Sequence, residues 1–187
     1  MYICAVEKNT TRITFILAGI LVIAFLRLVL LDFANFAPIA AAGIFGIFFL
    51  KKKYWGIILA LAAIFLSDLV LSYTKGYSLY SARIIDYFGL AIGLGFAWWI
   101  LRSKQTMIRA IGAASIGSLA FFVISNFGVW MMGNLYPKTL GGLLTCYEMA
   151  IPFYRGTLIG DIFFTTLFVG AFQLLTAKVP QLQMEDN

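Results

Sequence analysis

The sequence predicts an all-α, polytopic membrane protein, a single integral membrane domain over residues 1–187 built as a bundle of six transmembrane helices. Composition is the first ground: 62% of residues are hydrophobic, 12% are charged, and mean hydropathy is +0.94, whereas soluble domains run near half apolar and a quarter charged. The second is segmentation, because clusters of charge divide the chain into six apolar stretches. The third is length, since spans of about 20 residues joined by short loops use up the chain and leave no room for a soluble domain. Nucleic-acid binders and cytosolic enzymes are excluded on these grounds. The net charge of +6 is informative through its placement rather than its sum.

Helix one is expected from Ile13 to Leu31, with Arg27 as its one charge. At about 19 residues it exceeds the apolar region of a signal peptide, and Asp32 to Pro38 offers no small-x-small cleavage site, so it is expected to be retained. Asn35-Phe36-Ala37-Pro38 reads as a turn and helix start, Pro being tolerated in a first turn. Helix two, Phe36 to Leu50, is stopped by Lys51, Lys52 and Lys53. Its roughly 15 residues reach only about 22 Å against a hydrocarbon core of about 30 Å. It therefore needs shelter from its neighbours or a locally thinned bilayer.

Helix three is placed at Tyr54 to Tyr73 and helix four at Ile84 to Leu101, with the polar stretch Thr74 to Arg83 between them. Helix five follows at Ala110 to Met132 and helix six at Leu158 to Thr176. The intervening segment Gly133 to Thr157 is the least regular. Within it Leu140 to Ile151 is apolar on balance but holds Gly141, Gly142, Thr145 and Glu148. About 12 residues cannot span, so a re-entrant or interfacial segment over the outer mouth is expected.

Orientation follows from the basic residues. With the N-terminus inside, nine lie on the cytoplasmic side (Lys8, Arg12, Lys51, Lys52, Lys53, Arg102, Lys104, Arg109, Lys178) and four outside (Lys75, Arg83, Lys138, Arg155). This asymmetry places both termini in the cytoplasm and the protein in a cell inner membrane. No internal repeat is apparent, so an inverted-repeat transporter layout gains no support.

An ionisable group in hydrocarbon costs about 2.5 to 3.5 kcal/mol on insertion scales and needs a partner, water or a function. The candidates are Arg27, Asp68, Asp86 and Asp161, to which Asn126 adds an amide. Helix direction puts Asp68, Asp86, Asn126 and Asp161 at one level in the outer half, an arrangement that favours a pocket open to the outside over a through-channel. Asp86 and Asp161, each in the first turn of its expected helix, are also accounted for as dipole or N-cap partners. Asp68 lies deeper, beside Ser67, and its structural explanation is pairing with Arg83 or Arg155. Arg27 is close enough to its helix end to snorkel outward.

Aromatic residues crowd the same side: Tyr73, Tyr77, Tyr80, Trp130, Tyr136, Tyr147, Phe153 and Tyr154. They form either an interfacial belt or the cover of a small-molecule site. Small residues at four-residue spacing (Ala42 and Gly46, Gly89 and Gly93, Ala113 and Gly117, Gly156 and Gly160) permit close helix approach, by default internal packing, otherwise docking of another membrane subunit. The cysteines Cys4 and Cys146, with no His in the chain, make a zinc or haem site improbable and imply no disulfide framework. A buried lone Cys146 reads as packing. No cofactor or metal is expected.

The stretches Asn35-Phe36-Ala37-Pro38-Ile39-Ala40, Ser67-Asp68, Asn126-Phe127-Gly128-Val129-Trp130, Tyr136-Pro137-Lys138-Thr139 and Ile151-Pro152-Phe153-Tyr154-Arg155-Gly156-Thr157, with Gly160-Asp161, resemble an uncharacterised bacterial family of small membrane proteins. In size and six-helix layout that family is similar to the substrate-binding S components of energy-coupling factor vitamin transporters. The second resemblance implies capture of a vitamin-like solute from outside and partnership with an ATPase-driven membrane module. S components commonly dock that module through Ala-xxx-Ala on helix one. Here helix one has Ala18, Gly19 and Ala24 without that spacing, and Ala42 and Gly46 on helix two are the nearest substitute.

The expected function is therefore solute uptake through an outward pocket of Asp68, Asp86, Asn126, Trp130, Arg155 and Asp161, with a small-molecule ligand and the lipid bilayer as partners. The rival is a non-transport scaffold or assembly subunit in which the polar residues tie helices together. An enzyme acting on lipid-linked substrate is disfavoured, since no metal-ligand set and no nucleophile with a base stands at readable spacing.

Overall fold

The computed structural model describes residues 2–30, 38–76 and 83–179, and these form six α-helices with no strand among them. They are α1 (Tyr2–Val29), α2 (Ile39–Phe49), α3 (Tyr54–Lys75), α4 (Arg83–Leu101), α5 (Met107–Met132) and α6 (Leu140–Lys178). Four of them, α3 to α6, are long and apolar enough to cross a membrane, and α1 contributes the apolar stretch Ile13–Val29. The expected start of helix two at Phe36, and Tyr77 and Tyr80, lie outside the described residues.

The bundle is organised around its shortest member. α2 has 11 residues, about 16 Å of rise, and every one of them except Ala40 is buried. It touches all five other helices, which supplies the shelter that a helix too short to span requires. Phe45 and Phe49 pack against Phe172 of α6 with ring centroids 5.4 and 4.4 Å apart, in the edge-on and tilted arrangements that aromatic quadrupoles favour. The outward faces of the surrounding helices carry Leu21, Phe25, Leu66, Phe88, Ile116 and Leu167, all exposed, as a lipid-facing surface requires.

Lipid tails are as apolar as leucine, so helix association in a bilayer relies on close packing and polar contacts. Glycine makes that packing possible at two crossings. A Cβ on Gly46 would stand 2.6 Å from the Gly56 Cα, joining α2 to α3, and a Cβ on Gly93 would stand 2.7 Å from the Gly117 carbonyl, joining α4 to α5. Of the small-residue pairs in the sequence, Gly46, Gly93 and Gly117 thus serve internal contacts. At the other end of α4, Lys53 Nζ donates to the Leu101 carbonyl at 3.4 Å and Arg109 Nη1 to the Ile100 carbonyl at 3.3 Å. Cations there satisfy terminal carbonyls and complement the helix dipole.

Several elements differ from expectation, α1 among them, which begins at Tyr2 rather than Ile13. α5 begins at Met107 because Thr106 caps it, its hydroxyl accepting from the Arg109 amide at 3.4 Å. More consequentially, no separate segment lies between helices five and six: α6 runs unbroken for 39 residues through Pro152. Thr139 starts it, accepting from the Gly142 amide at 3.1 Å. Its first half lies along α5, with the Tyr147 hydroxyl donating to the Val123 carbonyl at 2.7 Å and the Phe122 and Tyr154 rings 4.7 Å apart. The stretch expected to cover the mouth is therefore a side wall. An interior proline breaks most soluble helices but is accommodated in membrane bundles, where neighbours satisfy the freed carbonyl.

Candidate functional site

The end of the bundle that carries the α3–α4 and α5–α6 connections, here the upper end, holds the buried acids and the arginines that meet them. Arg27, near the close of α1, turns inward rather than snorkelling. Its Nη2 donates to Asp68 Oδ1 at 2.7 Å and its Nη1 to the Ser67 hydroxyl. Tyr87 of α4 donates its hydroxyl to Asp68 Oδ2 at 2.9 Å. Arg83 Nε stands 3.5 Å from that same oxygen, and Arg83 Nη1 stands 3.6 Å from Asp86 Oδ2. Asp68 is only 2% exposed, and the side chains of two arginines and a tyrosine, from α1 and α4, converge on its carboxylate.

Asp161 is set differently. Because α6 begins at Leu140, this acid lies mid-helix rather than in a first turn, which removes the capping explanation for its presence. It is 2% exposed and accepts from the Ser118 hydroxyl of α5. No Lys or Arg pairs with it among the described residues. Asp86 does occupy the first turn of α4, where the dipole favours it.

A cavity of about 170 Å³ opens beside these groups, and all six helices line it. Its polar wall is Arg27, Arg83, Asp86, Thr157 and Asp161, and its apolar wall includes Ile39, Ile44, Leu94 and Phe121. Next to it lies a vestibule of about 250 Å³ bounded by Phe121, Phe122, Ser125, Asn126, Phe153 and Tyr154. Arg83, Asp86, Phe121 and Thr157 border both spaces. Two larger grooves of about 480 and 390 Å³ run along α1 and α3. Their walls are almost wholly apolar, so lipid chains fill them as well as any ligand, and they offer little to orient a solute.

The structure thus brings Asp86 and Asp161 to the inner cavity and Asn126 to the vestibule. Asp68 stands behind the cavity wall, where it holds Arg27 and Arg83 in place. Trp130 and Arg155 line neither space. Trp130 donates through Nε1 to the Pro137 carbonyl at 2.9 Å, and the Lys138 ammonium lies 5.8 Å from its ring, so it ties the α5–α6 connection; Arg155 is exposed. Asn126 spends its amide on its own helix, donating to the Phe122 carbonyl at 2.8 Å. Thr157 and Ser118 were not singled out from the sequence. Thr157 was findable, since a residue four before Asp161 shares its helix face, whereas the Ser118 contact depends on how α5 and α6 are rotated.

Among the described residues no group of three or more His, Cys, Asp and Glu is gathered to hold a metal. Cys146 is buried and donates weakly to the Asn126 carbonyl at 3.5 Å, a packing role.

A family model described as "Family of unknown function (DUF6580)" matches residues 7–182. The chain belongs to this family. The match takes in every residue of the cavity and vestibule of this DUF6580 member. No curated protein and no solved structure matches the chain.

Proposed function

We propose that this membrane protein captures a small, vitamin-like solute at the outer face of the cytoplasmic membrane, as the substrate-binding subunit of a larger uptake system energised by an ATPase-driven module. The observation that carries this reading is the polar cavity lined by all six helices, joined at its rim to an aromatic vestibule. Membrane proteins place ionisable groups at such depth at considerable cost, mostly where a pathway or ligand uses them, and an apolar chamber with a few convergent polar groups is the usual form of a small-molecule site. The charge asymmetry of the loops turns the vestibule outward and both termini inward. The reading assigns binding and no reaction.

Mass spectrometry of the gently purified protein tests it. A small molecule retained at one per chain is expected; a stoichiometric partner protein with no ligand would replace the proposal by the scaffold reading. That second reading has its own support in the Arg27, Asp68 and Arg83 contacts, which bind α1, α3 and α4 together whether or not a solute enters.

A further inference from the structure

The charges around the cavity do not balance. Arg27 and Arg83 are matched by Asp68 and Asp86, two cations against two anions, through contacts of 2.7, 3.5 and 3.6 Å. Asp161 is left over. It is 2% exposed, lines the cavity, has the Ser118 hydroxyl on one oxygen and pairs with no Lys or Arg among the described residues. A buried carboxylate is strongly destabilising without a cation beside it. Among the described residues none stands there, and the space next to the carboxylate is open.

Resting on the solute-binding reading above, we infer that the cavity takes its solute by a positively charged amine or quaternary ammonium group seated against Asp161, with the rest of the molecule lying in the vestibule. The dimensions support this division. About 170 Å³ accommodates a compact head group, below the range of about 300 to 1,000 Å³ usual for whole ligands. The adjoining 250 Å³ is bounded by the rings of Phe121, Phe122, Phe153 and Tyr154 and, over the rest of its wall, by polar groups that include Asp86 and Asn126 as well as Arg83. Aromatic faces attract a passing cation and pack against an apolar body. The first turn of α2, at Ile39 and Ala40, also lines the cavity, and because a helix start favours anions an anionic analogue is the decisive control.

Thermal unfolding of the purified protein with three isosteric probes separates these cases. Phenylethylamine is expected to raise Tm saturably, while 2-phenylethanol and phenylacetate have little effect, and Asp161→Asn should abolish the response. Equal or greater stabilisation by the alcohol or the carboxylate would overturn the inference and leave solute binding standing, as would a full amine response in Asp161→Asn. A second variant works without any ligand and does not depend on Asp161→Asn folding. Thr157→Lys places an ammonium one helical turn from Asp161, inside the cavity, and should raise Tm on its own and remove sensitivity to the amine. If Thr157→Lys has unchanged or lower Tm, the charge argument fails whatever the probes do. If, in addition, no probe of any charge shifts Tm, the solute-binding reading falls with it.

Discussion

Asp68 and Asp161 are both aspartates at 2% exposure, yet their surroundings give them different work. Asp68 is enclosed by Arg27, Arg83 and Tyr87, so replacing it by Asn strands buried guanidinium charge. That typically costs about 3 to 5 kcal/mol, and thermal unfolding of Asp68→Asn should show a loss of that order. The double variant Arg27→Met with Asp68→Leu should recover only the share due to Arg27, because an apolar pair removes that buried charge while Arg83 and Tyr87 still lose Asp68 as a partner. An Asp68→Asn protein as stable as the original would show that the network contributes nothing. Trp130→Phe removes one hydrogen bond to the Pro137 carbonyl, worth about 1 kcal/mol, and should leave any retained small molecule in place, since Trp130 does not reach the cavity. Loss of ligand in that variant would extend the site to the α5–α6 connection. The sequence singles out Asp68 as an acid that needs a partner and offers Arg83 or Arg155. Arg83 is near it, Arg155 is not, and Arg27, 41 positions away, is the closest partner because α1 and α3 meet at a register that neither helix announces.

At the level of helices, close backbone approach determines how α2 is held. Gly56 packs directly on the α2 backbone, where a Cβ would stand 2.8 Å from the Gly43 carbonyl oxygen. Gly56→Ala must push two backbones apart and should cost about 1 to 3 kcal/mol. Gly95→Ala is the matched control, because nothing lies within 4 Å of its added methyl, and a helical Gly→Ala change should gain up to about 1 kcal/mol. Chemical or thermal denaturation of the pair checks both signs, and equal effects would remove the packing argument. α6 shows where reading by local signals stops. Gly141, Gly142 and Pro152 break the pattern that marks a helix in water, and the start at Leu158 follows from treating them as breaks. In the bundle, packing along α5 keeps the helix going, and with it Asp161 moves from the first turn to the middle.

For the molecule as a whole, topology is the testable quantity. Reporter fusions after Lys53, Leu101 and Lys178 should read cytoplasmic, and fusions near Lys75 and Lys138 external, in keeping with nine basic residues on one side and four on the other. An external C-terminus would break this alternation and turn the vestibule to the cytoplasm. Membrane character, the number of helices and the gathering of acids toward one end were legible in the chain, because transfer into hydrocarbon is set residue by residue and depth along a helix follows from counting at 1.5 Å per residue. Which acid is neutralised, which lines the cavity, and that Thr157 and Ser118 attend Asp161 were decided only by the tertiary structure. In a soluble helix an apolar stripe against a polar face reveals the inward side. These helices are apolar all round, since lipid and core are alike in polarity, so rotation and register are set by glycine contacts and buried hydrogen bonds that join residues far apart in sequence.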